Sequence, residues 1–430
     1  MKVTFRNLGP IEEATLDLSK RLTVLVGKNN TGKTFLASAA YAVGHPRTDR
    51  TSRQAVIKPL IASVLNSGEF ELPIAALEAV APAFARAWGH DIERSLPRCI
   101  GTSRTPTVQL QWSPRDVTAT QQSFTYSGKS RMLLDLNGAT VRLGVLDGDA
   151  LVSPMPMRRI DGVVDDIVRH LSAVQSWQSQ PAERLGIHVF ARELAASRFS
   201  AVEDMLESDT PGALQRARAY PWLVRDALVR DLSNAQQHDS PAADQLESLL
   251  GGKVGTSAQG EFELSLPNGS ALSTNEVSSS VKSLASLVLQ YRTSSSRDRL
   301  VLDEPEMSLH PDLQRKFARW LGRAVGEGVQ FLIATHSDYI VRELSHLLMM
   351  HNAAPGMRKV MEENGYTKEE AIDPAHIEVL RLGEGRATPI EVDRHGFRVD
   401  TIDDELERIS ALSQDLFAVL DEPVEDTSGE

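Results

Sequence analysis

The sequence predicts an α/β fold: mixed β-sheets around a phosphate-loop core, split by a large and mostly helical insertion. Three observations predict it. Residues 21–26 (RLTVLV) form a short apolar run that leads straight into GKNNTGKT and then into a helical pattern, FLASAAYAVG. Far along the chain, apolar runs at 300–302 and 330–334 flank a helix candidate from 311 to about 324, an order that favours parallel pairing. Between these two groups, residues 46–255 are mostly helical in pattern.

In chain order, residues 2–5 and 14–18 alternate apolar with polar, as half-buried strands do, and Gly9-Pro10 marks a turn between them. The helix after GKNNTGKT ends at Gly44, with Pro46 beyond it. Residues 46–95 read as helix with Gly and Pro interruptions. From about 105 to 150, the runs VQLQW, SFTYS, MLLDL and VRLGVL are separated by Ser-Gly, Asn-Gly and Asp-Gly, the pattern of short strands and turns. A helical lobe is expected over 157–248, broken at LESDTPGAL and QQHDSPAAD. Residues 261–266, PNG and 271–272 predict a hairpin, and 283–291 an apolar helix. The stretch 376–430 carries a few β-type runs, a helix over 403–420 and an acidic tail. The resulting organisation is an N-terminal lobe (1–45), the insertion (46–255), a C-terminal lobe (256–345) and an α/β extension (346–430).

Composition narrows the class. Hydrophobic residues make up 41% and charged residues 24%, the values of an ordinary globular chain. The net charge of −12 argues against coating nucleic acid with the whole surface, and leaves a local basic groove open. The single cysteine, Cys99, excludes an internal disulfide and a multi-cysteine metal site, and fits a reducing, cytoplasmic setting. No run approaches the ~18 apolar residues of a membrane helix, and MKVTFRNLGPIEE lacks a signal-peptide core. No membrane partner is expected.

Three motifs carry chemistry. Gly27, Lys28, Asn29, Asn30, Thr31, Gly32, Lys33 and Thr34 match the P-loop pattern. Glycines let successive N–H groups curl towards a phosphate, and the next helix adds its positive end. Lys33 is placed to reach β- and γ-phosphates, and Thr34 to ligate Mg²⁺. In LVLDEPEMSLHP (300–311), an apolar strand ends in adjacent carboxylates: Asp303 to hold Mg²⁺ and Glu304 to polarise an attacking water. In FLIATHS (331–337), another buried strand ends in His336, placed to touch the γ-phosphate or the water. ATP and Mg²⁺ are therefore the expected cofactors.

A Walker A loop, a far-distant LDEPEMSLHP and then ATHS resemble the ABC ATPase family, in the branch of RecF, the structural-maintenance-of-chromosomes proteins and the overcoming-lysogenization-defect nucleases. NLGPI before the P-loop and THSDYIV after Walker B also resemble compact ATPases of prokaryotic defence operons. The resemblance covers about 1–45 and 260–345. It implies a head split into two lobes by an insertion, and a signature motif that caps the γ-phosphate of a partner subunit. Ser279, in SSSVKSLASL (278–287), aligns with the signature serine, and Ser280 stands where the family has glycine. Ser308-Leu309-His310-Pro311 takes the place of the D-loop. Arg6-Asn7 follows the first strand, where the family contacts nucleotide, and Gln109 and Gln111 are the glutamines weighed for the Q-loop.

The resemblance implies a homodimer or higher homo-oligomer closed around ATP. After His336 there is no strand–Glu–Gly and later Asp-x-Asp arrangement of a Toprim nuclease, and DRHGFRVDTIDDELE reads as a solvated acidic helix. The expected function is thus an ATPase that works through a separately encoded effector, nuclease or toxin-like, in phage defence or DNA repair, with nucleic acid a further possible partner. The alternatives are a transporter ATPase, disfavoured by the long interruption, and a low-turnover nucleotide-binding scaffold, disfavoured by the Asp303–Glu304 pair.

Overall fold

The computed structural model describes residues 1–45, 49–66, 71–101, 106–113, 121–126, 130–136, 140–147, 150–152, 176–182, 184, 240–256, 262–273, 275–292, 298–352 and 354–420. In chain order the elements are β1 (Lys2–Leu8), β2 (Ile11–Asp17), β3 (Leu22–Val26), α1 (Lys33–Gly44), α2 (Thr51–Asn66), β4 (Glu71–Pro73), α3 (Ile74–Ile100) and β5 (Thr107–Gln111). There follow β6 (Gln121–Tyr126), β7 (Ser130–Leu136), β8 (Thr140–Asp147), β9 (Ala150–Val152) and β10 (Ser176–Gln180). Next come α4 (Pro241–Leu250), β11 (Lys253–Thr256), β12 (Phe262–Ser265), β13 (Ala271–Ser273) and α5 (Ser279–Arg292). The last are β14 (Asp298–Asp303), α6 (Pro311–Gly326), β15 (Gln330–Ala334), α7 (Asp338–Met350), α8 (Met357–Glu363), β16 (Ile377–Gly383), β17 (Arg386–Ile390) and α9 (Asp400–Leu420).

One large mixed sheet organises the molecule, in the order β10-β14-β15-β3-β16-β17-β2-β1-β5. Its first five strands are parallel to one another. Beyond them β16–β17, β2–β1 and β1–β5 pair antiparallel. Four of these strands, β14, β15, β3 and β16, are largely apolar because both faces are covered, whereas β10 (SWQSQ) is not. Along β14, Leu300 and Leu302 belong to one hydrophobic core and Val301 to the other. Along β15, Phe331 and Ile333 face the second core and Leu332 the first, as a two-residue period demands. Helices α1 and α3 cover one face, and α4 to α7 the other.

Helix starts follow their caps. Ser240 accepts from the Ala243 amide and Pro241 opens α4. Ser337 accepts from the Ile340 amide at the start of α7. Helix α3 runs unbroken through Pro82 and Pro97, although each removes one backbone donor.

The sheet recruits strands from the stretches expected to lie outside the two lobes. The sequence pattern predicts helix over 157–248, yet residues 176–180 of that stretch form β10; the rest of the lobe up to 239 falls outside the described residues, apart from 181, 182 and 184. The physical reason is the outer edge of β14, whose backbone groups need partners that a helix could not supply. Trp177 is buried beneath the sheet, and the fully buried Arg299 of β14 stacks over it at 5.1 Å. Arg299 also donates to the carbonyls of Leu18 and Lys20 and to Gln330 Oε1, and burial draws its pKa down to about 10. Strand β5, from the same expected insertion, closes the other edge on β1. Strand β16, from the expected C-terminal extension, lies beside β3 in the middle of the sheet. Two smaller sheets, β4-β8-β7-β6 with β9 on β8, and β11-β12-β13, stand apart from it. No helix among the described residues is long and apolar enough to cross a membrane.

Candidate functional site

The site forms where parallel strands end side by side. Ala334 is in register with Asp303 on one side and with Leu25 on the other. The loop after β3, the carboxylates after β14 and the histidine after β15 therefore emerge at one edge of the sheet, where α/β folds bind ligands.

Gly27 opens the loop at φ 141°, and a Cβ there would stand 2.3 Å from the Leu382 carbonyl oxygen of β16. Gly32 closes it at φ 100°, pressed on the Ile11 side chain. Only glycine fits either place. Lys28, Asn29 and Asn30 are exposed on the loop, Asn30 with φ 62°. The Thr31 hydroxyl donates to the Lys28 carbonyl at 2.9 Å. Lys33 is buried, and its Nζ donates to the carbonyls of Gly27 (2.9 Å) and Lys28 (2.8 Å). Burial lowers its pKa, opposed by the charges of Asp303, Glu304 and Glu306. Thr34 is exposed in the first turn of α1, whose start carries no side-chain cap at Gly32.

Asp303 is 6% exposed at the last position of β14. Glu304 turns out of the strand at φ 45°, a strained value for a residue with a Cβ, and its amide donates to the Ala334 carbonyl at 2.8 Å. The chain then curls on itself: Met307 N–H donates to the Glu304 carbonyl and Leu309 N–H to that of Glu306, with Ser308 exposed at φ 66°. His310 accepts from the Asp312 amide and starts α6.

His336 is exposed just past β15. Desolvation, the nearby Lys33 charge and an opposing pull from Glu304 leave its pKa below the ordinary value, so the ring is neutral at pH 7. Its backbone is held by Glu306, which accepts from the His336 amide at 2.6 Å and from the Thr335 hydroxyl at 2.9 Å. Burial raises the Glu306 carboxyl above its ordinary value.

The structure thus brings Lys33, Asp303, Glu304 and His336 together. Two further residues belong to the same place. Glu306 was visible in LVLDEPEMSLHP, but its task appears only once β14 and β15 are side by side. Arg184, buried just after β10, donates to the carbonyls of Asp303 (3.0 Å), Glu304 (3.0 Å) and Pro305 (3.2 Å) and to Ser283 Oγ (2.8 Å). No motif signals it.

Other expected residues lie elsewhere. Arg6 is occupied on the antiparallel part of the sheet: Nε donates to Glu13 at 2.6 Å and Nη1 to Gln109 at 2.8 Å. Gln109 and Gln111 sit on β5, at the edge farthest from β10. Two glutamines of β10, Gln178 and Gln180, lie in register with Leu300 and Leu302 of β14. Ser279 is exposed as the first residue of α5, between Ser278 and Ser280, whose hydroxyls bond each other at 2.8 Å.

Mg²⁺ is implied by the resemblance, and the donor set fits it: the Asp303 carboxylate, whose charge acts on Lys33, and the hydroxyl of Thr34, the residue after Lys33, are hard oxygen donors.

Residues 163–342, less than half of the chain, match the family model described as "AAA domain, putative AbiEii toxin, Type IV TA system". The match includes Asp303, Glu304 and His336 and starts well after the P-loop. Among solved structures, the chain is similar to the SMC head domain from Thermotoga maritima, with TM-score 0.36, 13% identity, and 91% of this chain and 98% of that one covered. It is similar to an SmcHead bound to the C-winged helix domain of ScpA (TM-score 0.36, 11% identity, 90% and 96% covered). It is also similar to an Smc head domain with an extended coiled coil bound to the C-terminal domain of ScpA from Pyrococcus furiosus (TM-score 0.35, 9% identity, 95% and 98% covered). No curated protein matches by sequence. Over residues 163–342 the chain is therefore similar to an AAA domain.

Proposed function

We propose that this chain binds Mg²⁺–ATP between two copies of itself, hydrolyses it, and uses the cycle to drive or gate a separately encoded effector in phage defence or DNA repair. The observation that carries the reading is the meeting of Lys33, the Asp303–Glu304 pair and His336 at one edge of the parallel strands. Lys33 exchanges its two loop carbonyls for phosphate oxygens, which removes no hydrogen bond and adds charge pairing. Asp303 and Thr34 would hold the metal, which would neutralise phosphate charge. Glu304, turned out of the strand end, orients the attacking water. The neutral His336 ring can donate to the γ-phosphate without adding a charge. The exposed Ser279 at the start of α5 is available to a second copy's nucleotide, where a helix N-terminus favours an anion. The net charge of −12 favours a protein partner over extensive nucleic-acid contact.

The test is a set of three variants. Glu304→Gln should still bind ATP and lose about 10²–10⁴-fold in turnover. Lys33→Ala should lose ATP binding. Light scattering of Glu304→Gln should show an ATP-dependent dimer that Ser279→Arg abolishes. Wild-type turnover in Glu304→Gln removes the assignment of the water-orienting residue. An oligomeric state indifferent to ATP removes the closure step.

A further inference from the structure

Helix α5 and the end of β14 are joined by a polar splice that the ATPase motifs do not include. It comes from Gln180, the last residue of β10, and from Arg184 just beyond it. Gln180 Nε2 donates to Ser286 Oγ at 2.6 Å, and Arg184 Nε donates to Ser283 Oγ at 2.8 Å. Ser283 and Ser286 are three residues apart, on one face of α5, and Ser279 lies one turn earlier on the same face. All four bonding side chains are buried, none more than 4% exposed. The rest of the Arg184 guanidinium is spent on the other side of the splice, on the carbonyls of Asp303, Glu304 and Pro305 and, at 3.4 Å, Pro181.

This is an expensive arrangement for structure alone. A guanidinium is costly to desolvate unless its donors are satisfied. Here it is buried against main-chain carbonyls, with the carboxylates of Glu306, Asp303 and Glu304 near enough to offset part of the cost. The carbonyls it gathers belong to the very residues whose side chains face the loop after β3, and one of them, Glu304, has a strained backbone that the surroundings must hold in place.

We propose that Arg184 is a positioning residue: it fixes the backbone of Asp303 and Glu304 and ties it to α5, so that contact at the Ser279 end of α5 is felt at the two carboxylates. The inference rests on the ATPase reading above for its consequence, and on the hydrogen bonds for its geometry. A rigid fork is needed, because one group must reach three successive carbonyls and a hydroxyl at once. Lysine keeps the charge but cannot span them.

Two variants test it in the full-length chain. In Arg184→Lys, ATP binding should stay within about threefold of wild type while turnover falls about 10–100-fold, the loss expected from misplaced reacting groups. Amide exchange over 303–309, which needs no turnover, should speed by at least about tenfold as the clamp opens. In Ser283→Ala, which cuts only the α5 side, turnover should fall about threefold or more with exchange over 303–309 near the wild-type rate. Unchanged exchange and turnover in a folded Arg184→Lys overturn the clamp, as does a loss of binding and turnover in equal proportion, which reports only unfolding. Wild-type turnover in Ser283→Ala overturns the link to α5. If the wild type hydrolyses no ATP, the function reading falls by itself, and the exchange measurement still decides whether Arg184 holds the carboxylate backbone.

Discussion

Replacing Glu306 by alanine should slow ATP turnover while sparing ATP binding, because this carboxylate sets where His336 stands. It accepts from the His336 amide at 2.6 Å and from the Thr335 hydroxyl at 2.9 Å. Thr335 is fully buried, and its oxygen already accepts from the Ser337 amide, so deletion leaves its hydroxyl proton without a partner. That costs about 1–3 kcal/mol. The His336 amide lies near solvent and can be rehydrated, so its share is smaller. A total of about 2 kcal/mol corresponds to a melting point lower by about 2 °C in a chain of this size. The larger effect is on rate, since a shift of about 1 Å in a reacting group costs about 100-fold. Steady-state hydrolysis, equilibrium ATP binding and a thermal melt on Glu306→Ala separate the two. Turnover within twofold of wild type in a folded variant refutes the reasoning.

The same residue gives a pH signature. Burial, with a smaller push from Glu304, raises the Glu306 carboxyl above its ordinary value of 4.5, against the pull of the His336 amide and the Thr335 hydroxyl. The folded chain therefore binds this proton more tightly than the unfolded one. The associated stability is full below 4.5 and is lost as pH rises through the higher folded value. Glu306→Gln has nothing to titrate there. Denaturant melts of the two proteins should show the glutamine variant gaining on the wild type from about pH 4.5 to 7. A stability difference constant across that range contradicts the assignment.

Two further outcomes follow from geometry. Gly27→Ala sets a Cβ 2.3 Å from the Leu382 carbonyl at φ 141°, and should lose ATP binding along with at least about 1–3 kcal/mol of stability, measured by isothermal titration and denaturant melts. Asp91 is fully buried on α3 and accepts from the amides of Ser52 and Arg53, from Arg53 Nε at 3.0 Å and from Arg94. Asp91→Ala removes the buried carboxylate bonded to Arg53 Nε and should cost about 3–5 kcal/mol in a denaturant melt.

Much of the site was legible in the sequence because its chemistry is local. GKNNTGKT, the Asp303–Glu304 pair and His336 each end an apolar strand of five or six residues, so composition and spacing mark them directly. Glu306 and Arg184 were not legible as site residues because their work is done on other segments' backbones. An arginine that donates to three carbonyls leaves no complementary residue in the sequence to pair it with. The strand β10 was hidden for a related reason. SWQSQ has neither alternation nor an apolar run, and its identity as a strand comes from the free edge of β14 and the burial of Trp177.

The placement of β16 shows the limit of reading lobes from motifs. The P-loop strand β3 has β15 on one side and β16 on the other, both from the last quarter or so of the chain. Gly27 is pinned by the Leu382 carbonyl of β16, so the shape of the phosphate loop depends on a residue far from any motif. All five residues of β3 are fully buried, and with neither neighbour in place both of its edges would lie open. Residues 1–45 carry the loop's sequence but cannot by themselves hold its conformation. The motif-bearing segments and the stretches between them are one cooperative sheet, with two strands that carry no motif, β10 and β16, flanking those that carry the chemistry.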